Sequence, residues 1–304
     1  MRFAISIPQF YGDGQFDPGA FREYFAQAED LGYHSAWAQE SPLGTGSVLS
    51  PMEVMTYAAA CTTRLRLGTT VFVSTLHQPV HFAKALATID QMSGGRLDVG
   101  VGSGGPDRPF AAFGMDKARY LARFTEGIAL TKALWTQPSV TFDGEFWQLE
   151  DAVLEPKPLQ KPHPPLWFGG AGEPALRRAV RLGNGFFGAG SSTTAAFREQ
   201  VAFVTEAAAK AGRTDFPIAK RVYIDIDADA GLARERVNAG LARIYGRRIP
   251  RIEAAAIAGT PDDCVAGVRE VIDAGAELVL FTPIGDPTAL AARIAAEVIP
   301  ALAV

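Results

Sequence analysis

Short apolar runs alternate with longer stretches of helical periodicity along almost the whole chain, and nothing else in the sequence limits the fold so strongly. Residues 3–7, 35–38, 65–73, 97–101, 166–168, 185–187, 218–226 and 278–281 read as eight strands. The third is apolar and β-branched, as a strand buried on both faces requires. Helices are predicted over 16–31, 51–61, 82–92, 117–135, 174–182, 193–211, 262–274 and 287–299. Pro18 and Pro51 fall in first turns, where a missing N–H costs nothing, and Gly32 and Gly94-Gly95 stand at helix ends. Eight strands separated by helices predict parallel βα units. Their number and the chain length predict an α/β fold, a TIM-type (β/α)8 barrel with insertions. An open doubly wound sheet carries the same alternation and is the competing arrangement.

Two stretches break the rhythm. Residues 136–165 contain Phe142-Asp143-Gly144-Glu145-Phe146, a hairpin signal, and then Pro156, Pro158, Pro162, Pro164 and Pro165, a spacing that no helix can run through. Residues 228–259 are helical and then basic around Arg247-Arg248. With no fixed-period repeat and no dividing linker, residues 1–304 are expected to form a single domain with insertions near 136–165 and 228–259. The 48% hydrophobic and 20% charged content excludes general disorder. The formal charge of −4 offers no basic face for nucleic acid. No apolar run approaches the roughly 18 residues of a membrane span, and the stretch from Met1 to Pro8 lacks the core of a secretory signal. A cytoplasmic protein without a membrane partner is expected. Cys61 and Cys264 have no metal-ligand spacing and read as two thiols in a reducing compartment.

The glycines give the clearest chemical clue. Gly100, Gly102, Gly104 and Gly105 surround Val101 and Ser103 at the end of the fourth strand, and Gly169-Gly170-Ala171-Gly172 follows the fifth. Tight βα turns explain either cluster. Two clusters at successive strand ends also suit a phosphate held by backbone N–H groups and a helix N-terminus. Neither completes a Walker A loop or the dinucleotide fingerprint. Arg108 could meet an anionic cofactor tail, and Arg177 and Arg178 follow the second cluster. Arg119, Arg123 and Glu126 read as an ion-pair set on one helix surface. Trp37, Phe72 and Phe10 could line an apolar wall, although core packing explains each alone.

The acid–base candidates are few. Glu40, at the end of the second strand, would serve if buried; a solvated loop carboxylate is the plainer reading. His77 follows the third strand and suits a pocket lining. His77 and His81 have Pro79 between them and no third ligand, so no metal site is predicted, and His34 and His163 read as structural. Ser41 lacks a nucleophile elbow, which removes a serine hydrolase from consideration.

Taken together, the pattern resembles the bacterial-luciferase-like superfamily of flavin and deazaflavin oxidoreductases. The residues that carry the resemblance are Leu31-Gly32-Tyr33-His34-Ser35-Ala36-Trp37, Arg64-Leu65-Arg66-Leu67-Gly68-Thr69, the run from Ala85 through Ser93-Gly94-Gly95-Arg96-Leu97, Gly100-Val101-Gly102-Ser103-Gly104, Pro156-Lys157-Pro158-Leu159-Gln160, Pro164-Pro165-Leu166-Trp167-Phe168-Gly169-Gly170 and Gly259-Thr260-Pro261. The resemblance implies a barrel with the cofactor ring near the third strand, against a non-prolyl cis peptide at Thr70-Val71. It also implies a phosphate tail over the later loops, drawing on Gly102, Ser103, Gly104, Arg108, Gly169, Gly170, Ala171 and Gly172. The substrate pocket would use Phe10, Gln39, Glu40, His77 and the 136–165 insertion.

Many deazaflavin-dependent relatives carry an acidic residue and a histidine at the second strand end. Here the pair is Glu40-Ser41, which leaves Glu40 or His77 to handle the proton. The leading expectation is an F420-dependent oxidoreductase acting on a small organic molecule. The alternative is an FMN-dependent monooxygenase, and a barrel that has lost catalysis is a third reading. A homodimer and a separate cofactor-reducing enzyme are the expected partners.

Overall fold

The computed structural model describes residues 1–11, 15–44, 46–105 and 110–302. Eight parallel strands follow the predicted order: β1 (Arg2–Ser6), β2 (Ser35–Ala38), β3 (Arg66–Thr69), β4 (Leu97–Gly102), β5 (Leu166–Gly169), β6 (Gly185–Gly188), β7 (Ile218–Ile226) and β8 (Leu278–Pro283). Between and after them run α1 (Pro18–Asp30), α2 (Pro51–Cys61), α3 (Pro79–Met92), α4 (Tyr120–Thr136), α5 (Glu173–Leu182), α6 (Thr194–Lys210), α7 (Ala230–Tyr245), α8 (Pro261–Asp273) and α9 (Pro287–Arg293). This is the element order of an α/β TIM-type (β/α)8 barrel with insertions.

Proline opens most of these helices, and side chains complete the caps. Asp17 accepts from the N–H groups of Gly19 and Ala20 ahead of α1, Gln78 from those of Val80 and His81 ahead of α3, and Asp286 from those of Thr288 and Ala289 ahead of α9. Thr260 and Asp263 form a reciprocal capping box on α8. Proline at the first helical position has no N–H left to satisfy, so these caps cover the orphan donors that remain.

The chain divides into two compact units. The first comprises Met1–Pro8, Asp17–Trp37 and Trp167–Val304. Its strands pair in the order β5-β6-β7-β8-β1-β2, all parallel, with Ala4 opposite Leu280 and Ser35, and Ala219 opposite Leu278. Ala4, Trp37, Trp167, Phe187, Ala219, Leu278 and Leu280 form one buried cluster. The small residues at 4 and 219 leave room for three aromatic rings packed edge to face, with centroids 4.8 to 6.1 Å apart. Trp37 therefore belongs to core packing, not to a pocket wall. The 228–259 insertion is α7, a short helix at Pro250–Glu253 and a strand at Ile257–Gly259 that pairs with β7.

The second unit comprises Gln9–Phe16 and Ala38–Leu166. In it β3 pairs with β4, and the predicted single strand over 65–73 is in fact two. β3 ends at Thr69, and Phe72–Val73 resumes the pairing opposite Val101 and Gly102. The 136–165 insertion forms the expected hairpin, Val140–Asp143 against Gln148–Ala152. Its tip is held by α4. The Glu126 carboxylate accepts from the backbone N–H groups of Glu145, Phe146 and Trp147, Arg119 pairs with Glu145, and the Arg123 guanidinium lies 4.5 Å from the Trp147 ring centroid. Residues 119, 123 and 126 thus bind the hairpin instead of one another.

Candidate active site at the strand ends

The second unit brings Glu40 and His77 together, although 37 positions separate them in sequence. Beyond Ala38 at the end of β2, the Glu40 side chain folds inward and is only 7% exposed. Its Oε2 accepts from the Val73 N–H at 2.6 Å, and its Oε1 lies 2.7 Å from Nε2 of His77. With Glu40 as the acceptor, Nε2 is the donor in this contact, and Nδ1 is the other ring nitrogen. A short 3-10 turn at Ser74–Leu76 delivers His77, and that turn is tied down where Thr75 Oγ1 donates to the Ser103 carbonyl at 2.8 Å. The imidazole packs beside Phe72 and Phe82 at centroid distances of 5.7 and 5.0 Å. It keeps a quarter of its surface exposed. The apolar flank holds the ring.

The break after β3 is a cis peptide at Thr70-Val71, the bond the resemblance implied. Thr70 N–H donates to the Ala38 carbonyl at 2.8 Å, which ties this bond to the end of β2, two residues before Glu40. The first glycine cluster fits beneath it. A Cβ on Gly100 would stand 1.8 Å from the Thr69 carbonyl oxygen, and one on Gly102 would stand 2.8 Å from Val71 Cγ2. Thr69 Oγ1 both donates to the Gly100 carbonyl and accepts from its N–H. These two glycines let β4 approach the 69–71 backbone closely. Gly102, Ser103 and Gly104 are half-buried, and the Ser103 hydroxyl donates to the Gly104 carbonyl at 3.2 Å. Arg108 lies outside the described residues.

The second glycine cluster belongs to the first unit. Gly170 has φ +152°, and a Cβ there would stand 2.6 Å from Ala175 Cβ, so the turn needs glycine for conformation and for space. Gly172 precedes α5 without a side-chain cap, and Ala171 and Gly172 are exposed. An uncapped, exposed helix start of this kind suits a phosphate. Arg177 is taken up by Glu173 one turn earlier, at 2.5 Å.

Other candidates stand apart. Phe10 is exposed and pairs with Val48 in a small antiparallel ribbon. Ser41 is exposed. His34 contacts Ser35 Oγ at 3.1 Å, while His163 meets the Pro164 carbonyl and its pKa is lowered by burial. Among the described residues no three His, Cys, Asp or Glu side chains gather as a metal site, and no helix is long and apolar enough to cross a membrane.

Residues that carry the family resemblance form a partly buried polar framework. Arg96 donates to the carbonyls of Ala59, Thr62, Leu65 and Ser93 and so closes the end of α2. Both oxygens of Asp90 accept from Gln160, whose side chain also donates to the Leu97 carbonyl. This bond set anchors the proline-rich return segment to β4.

Parallel βα units, with an acid and an imidazole in contact beyond the strand ends, place the chain in the class of α/β barrels of the TIM type. The luciferase-like monooxygenase family model matches residues 1–278, and the chain belongs to that family of oxidoreductases and monooxygenases. An F420-dependent glucose-6-phosphate dehydrogenase of Kineococcus radiotolerans is 27% identical over 95% of this chain and 94% of its own length. An FMNH2-dependent dimethylsulfone monooxygenase of Pseudomonas putida is 34% identical over 57% of this chain and 47% of its own length. The solved monooxygenase RslO1 of Streptomyces bottropensis superposes with a TM-score of 0.85 at 24% identity, covering 99% of both chains. That likeness shows the barrel fold and sets the open-sheet alternative aside.

Proposed function

We propose that this protein is an F420-dependent oxidoreductase acting on a small organic substrate, with Glu40 and His77 as its proton-handling pair. The observation that carries the reading is the 2.7 Å contact between Glu40 and His77. It supplies an imidazole where Ser41 fails to. When bound, the deazaflavin accepts or donates the hydride, which is the cofactor's chemistry and not the protein's. Glu40 holds the ring with Nε2 protonated, so Nδ1 is the atom that gives or takes the substrate proton. The Thr70-Val71 segment and the half-buried Gly102, Ser103 and Gly104 would support the ring and its chain. Within the first unit, the amides of Gly169, Gly170, Ala171 and Gly172 would suit a phosphate. The choice of F420 draws support from the dehydrogenase relative, which matches nearly the whole chain. The same reading takes the chain as one domain that works as a homodimer.

The second reading is an FMN-dependent monooxygenase, served by a separate reductase. It is favoured by the higher identity of the dimethylsulfone enzyme over half of the chain. A titration followed by ring absorbance separates the two. Tight, saturable F420 binding with weak FMN binding is expected. Preferential FMN binding with oxygen-dependent turnover of the reduced flavin would refute the first reading.

A further inference from the structure

Gln9 lies just past β1 and is completely buried. Its side-chain amide bonds both backbone polar groups of one residue, Gln39. Oε1 accepts from the Gln39 N–H at 2.5 Å, and Nε2 donates to the Gln39 carbonyl at 2.6 Å. The second Nε2 hydrogen reaches the Leu49 carbonyl at 2.8 Å, and the Leu49 N–H donates to the Gln9 carbonyl at 3.0 Å. A side-chain amide is here used like an extra strand, fixing the backbone immediately before Glu40. All these groups lie in the second unit, as do Val73 and His77.

We infer that Gln9 is a positioning residue for the acid–imidazole pair. The Glu40 carboxylate makes bonds of 2.6 and 2.7 Å to two partners, Val73 in the short strand and His77 after the turn that follows it. Hydrogen bonds weaken steeply with displacement and misalignment, so both are satisfied together only while the 39–40 backbone is held. No apolar side chain could do this, because it has neither the acceptor for the Gln39 N–H nor the donors for the Gln39 and Leu49 carbonyls. Glutamate offers an acceptor to the Gln39 N–H but sets an oxygen against both carbonyls, so it too would fail. The inference rests on the proposed role of Glu40 and His77.

The test reads the pair itself, without cofactor or substrate. The imidazole nitrogens of His77 are observed by long-range proton–nitrogen correlation at fixed pH, assigned with His77→Gln. Glu40→Gln defines the shifts of a ring that has lost its carboxylate. Gln9→Met and Gln9→Glu are both made, so that a folding failure in one leaves the other. The Trp135 indole N–H, bonded to the Ala83 carbonyl at 2.9 Å, serves as the fold control within the same unit. With that control unchanged, the His77 nitrogens of either variant are expected to move to the Glu40→Gln values. Wild-type shifts in a folded variant would overturn the inference. Failure of F420 to bind would remove the proposed function while leaving this measurement intact.

Discussion

Lys220 offers the sharpest quantitative test of the framework. It sits on β7 at 1% exposure, and its ammonium donates to the carbonyls of Ala189 and Ser192 in the loop that follows β6. Burial, with the neighbouring Arg221 charge, lowers its pKa from 10.5 to about 7. That difference amounts to roughly 5 kcal/mol between charged and neutral forms. The direction follows from proton counts. Between pH 7 and 10.5 the unfolded lysine holds a proton that the folded one has released, so stability rises with pH by up to about 1.4 kcal/mol per pH unit. It is lost again as pH falls through 7. Lys220→Met removes this slope. At neutral pH it relieves the buried charge but strands two carbonyls, at about 1–3 kcal/mol each, so the net change there is small. Denaturant unfolding from pH 7 to 9.5 is the assay. That range stays below the region where Tyr24 and Tyr33, whose pKa values burial raises, contribute the opposite slope. Equal slopes for wild type and variant would refute the burial argument.

Glu40→Gln is expected to slow the proton-dependent step by about 10²–10⁴-fold and to flatten the pH–rate profile on a turned-over substrate; an unchanged profile excludes the role. Ala171→Asp places a carboxylate at the exposed start of α5. It should weaken F420 binding by about tenfold or more through repulsion while leaving the melting temperature nearly unchanged; equal affinity would remove the phosphate site from that turn. Gly100→Ala drives a Cβ against the Thr69 carbonyl oxygen, a contact that no side-chain rotation relieves. A loss of about 3 kcal/mol or more in denaturant unfolding is expected, whereas a neutral result would show that β4 can shift away from the 69–71 backbone.

The fold was legible because each strand is short, apolar and punctuated, and because proline and glycine mark the helix ends. Periodicity still merged β3 with Phe72–Val73, since Thr70 and Val71 are as β-branched as the residues around them. Composition likewise made Trp37 a fair candidate for a pocket wall; only the small partners Ala4 and Ala219 show that it fills a core. Arg119, Arg123 and Glu126 have ideal helical spacing, and that spacing says nothing about a hairpin folding back onto them.

The candidate site was legible only as separate residues. Glu40 and His77 each stood out as titratable groups at strand ends, but the bond between them depends on where a three-residue turn sets the imidazole. The departure at Ser41 read as a lost acid–base group. On the proposed function it is a relocation, because the next βα loop sets the His77 imidazole 2.7 Å from the same carboxylate, a contact that requires the carboxylate to be held still. That condition is what hides Gln9 from sequence reasoning. It is an uncharged residue in an apolar neighbourhood, and its only signal is that a long polar side chain is buried there at all. A buried amide needs partners for two N–H donors and a carbonyl oxygen, and the N–H and carbonyl of Gln39 with the carbonyl of Leu49 supply them. A buried glutamine just past a strand end is therefore a reason to look for the backbone it fixes.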